Sequence, residues 1–101
     1  MLTLFPGMFG GVLGESMLGR AAEAGLLEFH LHDIRAFTDN RHNKADDYPF
    51  GGGAGLVMMA QPVFDCMAHV CALDPRPARR ILLSPRGRLL TTERARALAG
   101  E

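Results

Sequence analysis

The sequence predicts an α/β domain with a mostly parallel sheet and helices on both faces of that sheet. Short apolar runs that are typical of strands alternate along the chain with segments of helical periodicity. This alternation indicates parallel strands, because a crossover between parallel strands needs a connection about as long as a helix. The 101 residues, of which 48% are hydrophobic, suffice for one small domain with a packed core.

Composition narrows the possible functions. Eleven basic residues balance eleven acidic ones, so the whole chain has no net attraction for nucleic acids or acidic membranes, although a local basic patch remains possible. The start of the chain lacks the basic region and long apolar core of a signal peptide, and no apolar run is long enough to cross a membrane. Cys66 and Cys71 are five positions apart on a predicted helix and cannot bridge each other, so we expect free thiols and a reducing cytoplasm.

The first third of the chain predicts a strand followed by a helix. Met1–Phe5 is a short apolar run, shortened at its beginning, that ends at the turn residues Pro6 and Gly7. Met8–Ala24 has helical periodicity, and Gly25 suits the left-handed position just after a helix. The predicted apolar face of this helix consists of Phe9, Leu13, Met17, Ala21 and Ala24.

A second strand and a polar loop follow. Leu26–Ile34 predicts a strand in which His30 and His32 share one face, an arrangement that suits either a metal site completed by His42 or a solvated face. Arg35–Asp47 is polar and aperiodic, which predicts a loop. Its cationic side chains suit either simple solvation or contact with a phosphate-bearing partner, with Asp46 or Asp47 accepting from a base N–H.

The second half of the chain predicts two more strand–helix units. Leu56–Ala60 is a short strand candidate, and Gln61 and Pro62 open a helix that the Asp74–Pro77 segment ends. The core-facing stripe predicted for this helix is Val63, Met67, Val70 and Cys71, with Cys66 off the stripe.

Arg79–Ser84 predicts a third strand, and Thr91 caps a last helix that ends at Gly100. Ser84–Arg88 then lies at the carboxyl end of the predicted strand, where ligands bind in open α/β sheets. This segment suits either the lip of a pocket or an ordinary turn between a strand and a helix.

The stretch Asp46–Met59 contains four closely spaced glycines, Gly51, Gly52, Gly53 and Gly55. Such a run is costly to order and is typical either of a surface loop or of a backbone that approaches a ligand closely. No lysine follows it, which excludes a P-loop, and Leu56 stands where a dinucleotide fingerprint needs its third glycine. Packed residues on both sides favour a ligand site.

Four segments, in order, resemble the bacterial tRNA (guanine-N1-)-methyltransferases, the TrmD family of the SPOUT class. They are Leu2–Phe9 (LTLFPGMF), Gly19–His42, Asp46–Pro62 (DDYPFGGGAGLVMMAQP) and Ile81–Arg88 (ILLSPRGR). The resemblance implies transfer of a methyl group from S-adenosylmethionine to N1 of the guanine 3′ of the tRNA anticodon. It also implies a homodimer with a trefoil knot, and no partnership with DNA or membranes.

The resemblance also implies residue roles. It places cofactor contacts at Leu83, Ser84, Pro85 and Gly87. It places substrate contacts at His42, Asp46, Gly51, Gly52, Gly53 and Gly55. Arg86 departs from the family pattern, which has glutamine at this position.

The family's knot, catalytic aspartate and tRNA-binding domain have no counterpart in residues 1–101. We therefore expect the chain to be the N-terminal portion of a SPOUT methyltransferase domain, inactive by itself and without catalytic residues of its own. The alternative is a non-catalytic remnant that dimerises or contacts RNA.

Overall fold

A pair of parallel strands joins the start of the chain to its middle. The computed structural model describes residues 1–39, 45–47 and 57–101, which form an α/β fold. Strand β1 (Leu2–Thr3) pairs in parallel with β2 (His32–Asp33), Leu2 opposite His32. The amide of His32 also donates to the carbonyl of Met1 at 2.8 Å. The crossover expected from the alternating pattern is therefore present.

The predicted helix Met8–Ala24 is wrong as a single helix. The chain instead forms a 3-10 turn (Pro6–Met8), a short helix α1 (Gly10–Leu13) and α2 (Ser16–Glu23). The break lies at Gly14, which caps α1, and glycine has little tendency to continue a helix. As a result Met17, expected on the apolar face, is 80% exposed.

Gly25 follows α2 with φ of 74°, the left-handed conformation predicted for it. The chain reverses there and runs towards β2.

The predicted strand Leu26–Ile34 is wrong in extent, since only His32–Asp33 is a strand. β1 offers two residues for pairing, and before His32 the ladder continues only to the carbonyl of His30, which accepts from the N-terminal amino group of Met1, so Leu26–Phe29 lie beyond the end of β1. Ile34–Phe37, the end of that strand and the start of the expected loop, instead forms a 3-10 helix. A carboxylate oxygen of Asp33 accepts from the amide of Arg35 at 2.9 Å and caps this helix.

An antiparallel strand pair leads into the longest helix. β3 (Asp46–Asp47) pairs with β4 (Val57–Met58), Asp46 opposite Met58 and Asp47 opposite Val57. Helix α3 (Ala60–Leu73) follows, with Pro62 in its first turn and Asp74 as its C-cap. The predicted strand, helix start and helix end in this region are confirmed to within a few residues.

The core of the described residues lies between α3 and the 3-10 helix. Ile34 is 5% exposed, and Ala45 and Cys66 are fully buried. Cys66 was expected off the apolar stripe, and that prediction is wrong, because α3 presents the turn containing Pro62 and Cys66 to the core. Both cysteines are free thiols, and Cys71 is exposed.

The predicted third strand, Arg79–Ser84, is not a strand. Leu82 and Leu83 are 88% and 90% exposed, and no described strand lies beside them. A strand needs a ladder partner, and apolar composition alone does not supply one. The last helix, α4 (Thr92–Ala99), is confirmed: the Thr91 hydroxyl accepts from the amide of Arg94 at 3.2 Å, and Gly100 ends the helix.

Candidate functional site

The described residues that flank the glycine-rich stretch form the antiparallel pair β3–β4. We call residues 40–44 and 48–56 the substrate loop, after the role that the sequence predicts for them, and we call the β3–β4 pair the neck. Of the predicted substrate residues, Asp46 lies in the neck and is half-buried. The others, His42, Gly51, Gly52, Gly53 and Gly55, lie outside the described residues, and their roles stay predictions.

The neck is held to the core at one residue. Ala45, just before β3, is fully buried, and its carbonyl accepts from the amide of Met59 at 2.7 Å. This bond continues the antiparallel ladder beyond the Asp46–Met58 pair. The entry to β3 and the exit from β4 are therefore fixed against each other and against α3, which starts at Ala60.

Gln61 links the first turn of α3 to the segment that enters the substrate loop. Its side-chain amide donates to the carbonyl of Phe37 at 2.7 Å and to the carboxylate of Asp65 at 2.5 Å. Phe37 is the last residue of the 3-10 helix. The bond thus ties α3 to the backbone just before the substrate loop, and sequence reasoning missed it, since glutamine carries no signal for a particular carbonyl partner.

Arg35 fixes the other side of the same 3-10 helix. Its side chain donates to the carbonyl of Leu4 at 3.3 Å, and its guanidinium lies 5.3 Å from the centre of the Phe5 ring. The Thr38 hydroxyl donates to the Arg35 carbonyl at 2.9 Å. Arg35 was expected in a cationic loop that is either solvated or in contact with a phosphate-bearing partner, whereas its side chain joins the chain just after β1 to the 3-10 helix.

Two histidines and an aromatic ring pack where β2, the 3-10 helix and α3 meet. The His69 ring lies 5.2 Å from that of Phe37 and 6.4 Å, edge-on, from that of His32. Burial lowers the pKa of His32, and the positive N-terminus and His69 lower it further. His32 is therefore held towards its neutral form. His69 was expected near an exposed edge, and it is exposed despite these ring contacts.

The predicted cofactor residues surround a turn after residue 83. The amide of Gly87 donates to the carbonyl of Ser84 at 3.0 Å, and the amide of Arg86 donates to the Ser84 hydroxyl at 3.2 Å. A side chain at position 87 would place its Cβ 3.1 Å from the Ser84 carbonyl, so the tight turn favours glycine. Leu83, Ser84 and Gly87 line an open cavity of about 380 Å³, whereas Pro85 is not among its lining residues.

The histidine pair does not form a metal site with other described residues. His30 pairs with Glu28 at 2.8 Å, and both side chains are largely exposed. Across residues 1–39, 45–47 and 57–101, no three His, Cys, Asp or Glu side chains are grouped to hold a metal ion. His42, the proposed third ligand, lies outside these ranges. Among the same residues, no helix is long and apolar enough to cross a membrane.

Comparison with known proteins gives one consistent family. The family model described as tRNA (Guanine-1)-methyltransferase TrmD matches residues 1–101. The chain is 54% identical over 101 residues to the tRNA (guanine-N(1)-)-methyltransferase of Geobacillus kaustophilus, covering all of this chain and 41% of that protein. It is 56% identical over 99 residues to the enzyme of the same name from Chloroflexus aurantiacus, covering 98% of this chain and 39% of that protein.

A solved structure agrees with the sequence matches. The crystal structure of tRNA (m1G37) methyltransferase from Aquifex aeolicus superposes with a TM-score of 0.68 at 26% identity, over 75% of this chain and 34% of that one. The chain thus spans about two-fifths of the length of the relatives it matches. On a match that covers every residue, the chain belongs to the TrmD family of tRNA (guanine-1)-methyltransferases.

Proposed function

We propose that this chain is the N-terminal portion of an enzyme that methylates N1 of the guanine 3′ of the anticodon in tRNA. The observation that carries the proposal is the family match over residues 1–101. The architecture supports it, because the glycine-rich segment is attached to the core by a fixed neck and the turn at Ser84–Gly87 borders a cavity.

In this proposal the substrate loop receives the guanine. Gly51, Gly52, Gly53 and Gly55 let the backbone approach the base closely, because no Cβ holds the base away. Asp46 is half-buried in the neck, where its carboxylate can accept from a base N–H. His42 contributes a further substrate contact. N1 of guanine carries a proton, so methylation also needs a base within hydrogen-bond reach, which we assign to the part of the protein beyond residue 101.

The cofactor we propose is S-adenosylmethionine, which supplies an electrophilic methyl group on a sulfonium. The residues present fit one wall of its site. Leu83 offers an apolar surface and Ser84 a hydroxyl at the same cavity, as an adenosine group requires. Pro85 and Gly87 hold the turn that presents them. Leu83 is 90% exposed, so this wall needs a second wall from the rest of the enzyme to exclude water.

The same proposal makes the functional protein a cytoplasmic homodimer, with the 101-residue portion inactive alone. The alternative function is a non-catalytic module that dimerises or contacts RNA.

The test is methyl transfer by the full-length protein encoded by the reading frame that contains this chain. Labelled S-adenosylmethionine is supplied with unmodified tRNA that has guanine 3′ of the anticodon, and with a matched tRNA that has adenine there. We expect 1-methylguanosine, identified by nucleoside mass spectrometry, in the first tRNA only. Binding of tRNA without turnover would favour the non-catalytic alternative, and methylation at another position would refute the proposed specificity.

A further inference from the structure

The charges of this neutral chain are divided sharply along the sequence. Residues 75–101 carry seven arginines and two acidic residues, which gives this segment a net charge of +5. Residues 1–74 carry four basic and nine acidic residues, which gives −5. Such asymmetry within one chain indicates that the basic part contacts a polyanion. The seven arginines are Arg76, Arg79, Arg80, Arg86, Arg88, Arg94 and Arg96.

Two of these arginines are engaged by carboxylates. Arg76 pairs with Asp74, with Nε 2.8 Å from a carboxylate oxygen, and its hydrogen bonds lower the pKa of Asp74 to about 2. Arg79 forms a two-point pair with Glu101. The other five arginines are exposed and form no ion pair with any residue that the structure describes.

Three of these five arginines face one cavity. Arg80, Arg88 and Arg94, which we call the arginine surface, line the same 380 Å³ cavity as the predicted cofactor residues Leu83 and Ser84. They come from three parts of the segment that are fixed in different ways. Arg88 follows the turn closed by Ser84 and Gly87, and Arg94 lies in the first turn of α4, whose N-cap is Thr91. Arg80 is next to Arg79, whose pair with Glu101 holds the end of α4.

We propose that the arginine surface binds the phosphate backbone of the RNA substrate beside the methyl-donor pocket. This inference rests on the proposed function, because it takes the RNA that binds the arginine surface to be the substrate that the enzyme methylates. Several guanidinium groups on one concave surface are suited to successive phosphates, each of which accepts paired N–H donors. Cofactor binding does not account for them, because S-adenosylmethionine has a net positive charge at neutral pH and three guanidinium groups oppose it.

The experiment measures tRNA binding by the full-length protein and by its Arg88→Gln/Arg94→Gln variant. Filter binding between 50 and 300 mM KCl gives the dissociation constant and its dependence on salt. We expect the variant to bind about tenfold more weakly at 100 mM, and its log–log salt slope to fall by about 0.7 to 0.9 for each phosphate that the variant leaves without a guanidinium partner. Arg20→Gln is the matched control. It removes one positive charge, half of what the double variant loses, from an exposed position on α2, and we expect wild-type binding.

Two parallel measurements separate RNA from other ligands. Calorimetric titration with S-adenosylmethionine should give an affinity in the variant that is no lower than in the wild type, because removing two guanidinium groups lowers the repulsion of the positively charged cofactor. Co-sedimentation with phosphatidylserine vesicles should show no binding that depends on the two arginines. A variant that loses cofactor affinity, or loses only vesicle binding, would overturn the proposal.

The outcome is independent of the test of activity. If the wild-type protein methylates tRNA while the variant binds tRNA with wild-type affinity and salt slope, RNA binding by the arginine surface is refuted and the proposed function is supported. If the wild type binds tRNA through these arginines but does not methylate it, the proposed reaction is refuted and the proposed RNA binding by the arginine surface is supported. An Arg88→Lys/Arg94→Lys variant keeps the charge, and we expect it to restore the salt slope.

Discussion

Replacing Gln61 tests whether the base of the substrate loop is held by α3. Gln61→Ala removes two hydrogen bonds, one to the carbonyl of Phe37 at 2.7 Å and one to Asp65 at 2.5 Å. The first contributes about 1 kcal/mol, a typical net value for a part-buried bond. The second contributes about 0.5 kcal/mol or less, because Asp65 is exposed and water competes for it. The free energy of unfolding should therefore fall by about 1 to 1.5 kcal/mol.

For a protein of the relatives' length this corresponds to a fall in Tm of about 2 to 6 °C. Calorimetry on the full-length protein measures it, and steady-state methyl transfer measures the accompanying rise in KM for tRNA, which we expect to be several-fold. Gln61→Glu should be worse than Gln61→Ala at pH 7, because it places a carboxylate against the Phe37 carbonyl and Asp65.

Asp65→Asn is the matched control, since its amide oxygen still accepts from Gln61, and we expect wild-type KM. If Gln61→Ala melts like wild type and its KM for tRNA is unchanged, the hydrogen bond from Gln61 to the Phe37 carbonyl does not hold the base of the substrate loop.

Three further predictions concern other parts of the chain. Thr91→Ala should cost α4 about 1 kcal/mol through loss of its cap, whereas Thr91→Ser should cost little; thermal melts of the two variants provide the comparison. The free energy of unfolding should fall as the pH drops from 6.5 towards the pKa of His32 in the folded protein. That pKa is the lower of the two, so the unfolded chain is protonated at a higher pH than the folded chain. A His32→Gln variant whose Tm shows the same change between pH 8 and pH 5 would contradict this. Gly55→Val in the full-length protein should raise the KM for tRNA or lower kcat with little change in Tm; a large loss of stability without a kinetic defect would indicate packing instead.

The elements that sequence predicted well are those whose ends are set by local chemistry. Thr91 and Gly100 bound α4, Pro62 and Asp74 bound α3, and Gly25 takes its left-handed turn, each through a bond or torsion within a few residues. The predicted strands were less accurate, because a strand exists only where a partner lies. Leu26–Ile34 and Arg79–Ser84 have suitable composition but find two paired residues and none, respectively, in the described part of the chain.

The candidate site likewise has one part that was predicted from sequence and another that was not. The segment Ser84–Gly87 was singled out from sequence, and the structure has a tight turn there, closed by the bond from the Gly87 amide to the Ser84 carbonyl. The four glycines between residues 51 and 55 lie outside the described residues, and their role stays a prediction. The contacts that hold the 3-10 helix before the substrate loop join residues 24 to 31 positions apart, as Gln61 to Phe37 and Arg35 to Leu4. No local pattern encodes such pairs. The burial of Cys66 was missed for the same reason, because the direction from which the 3-10 helix packs on α3 is a tertiary property.

The neck affects which sequence changes between residues 46 and 58 the fold tolerates. Asp46 and Met58 are held opposite each other, so the two ends of the chain segment between them are joined by the neck. The entropy of closing a flexible loop rises by only about 0.6 kcal/mol for each doubling of its length. Substitutions, insertions and grafts between these two residues are therefore cheap for folding, and selection can act on them almost entirely through recognition. For protein engineering, this makes the proposed base-recognition segment between residues 47 and 57 a place where a different sequence can be inserted without redesign of α3 or the core.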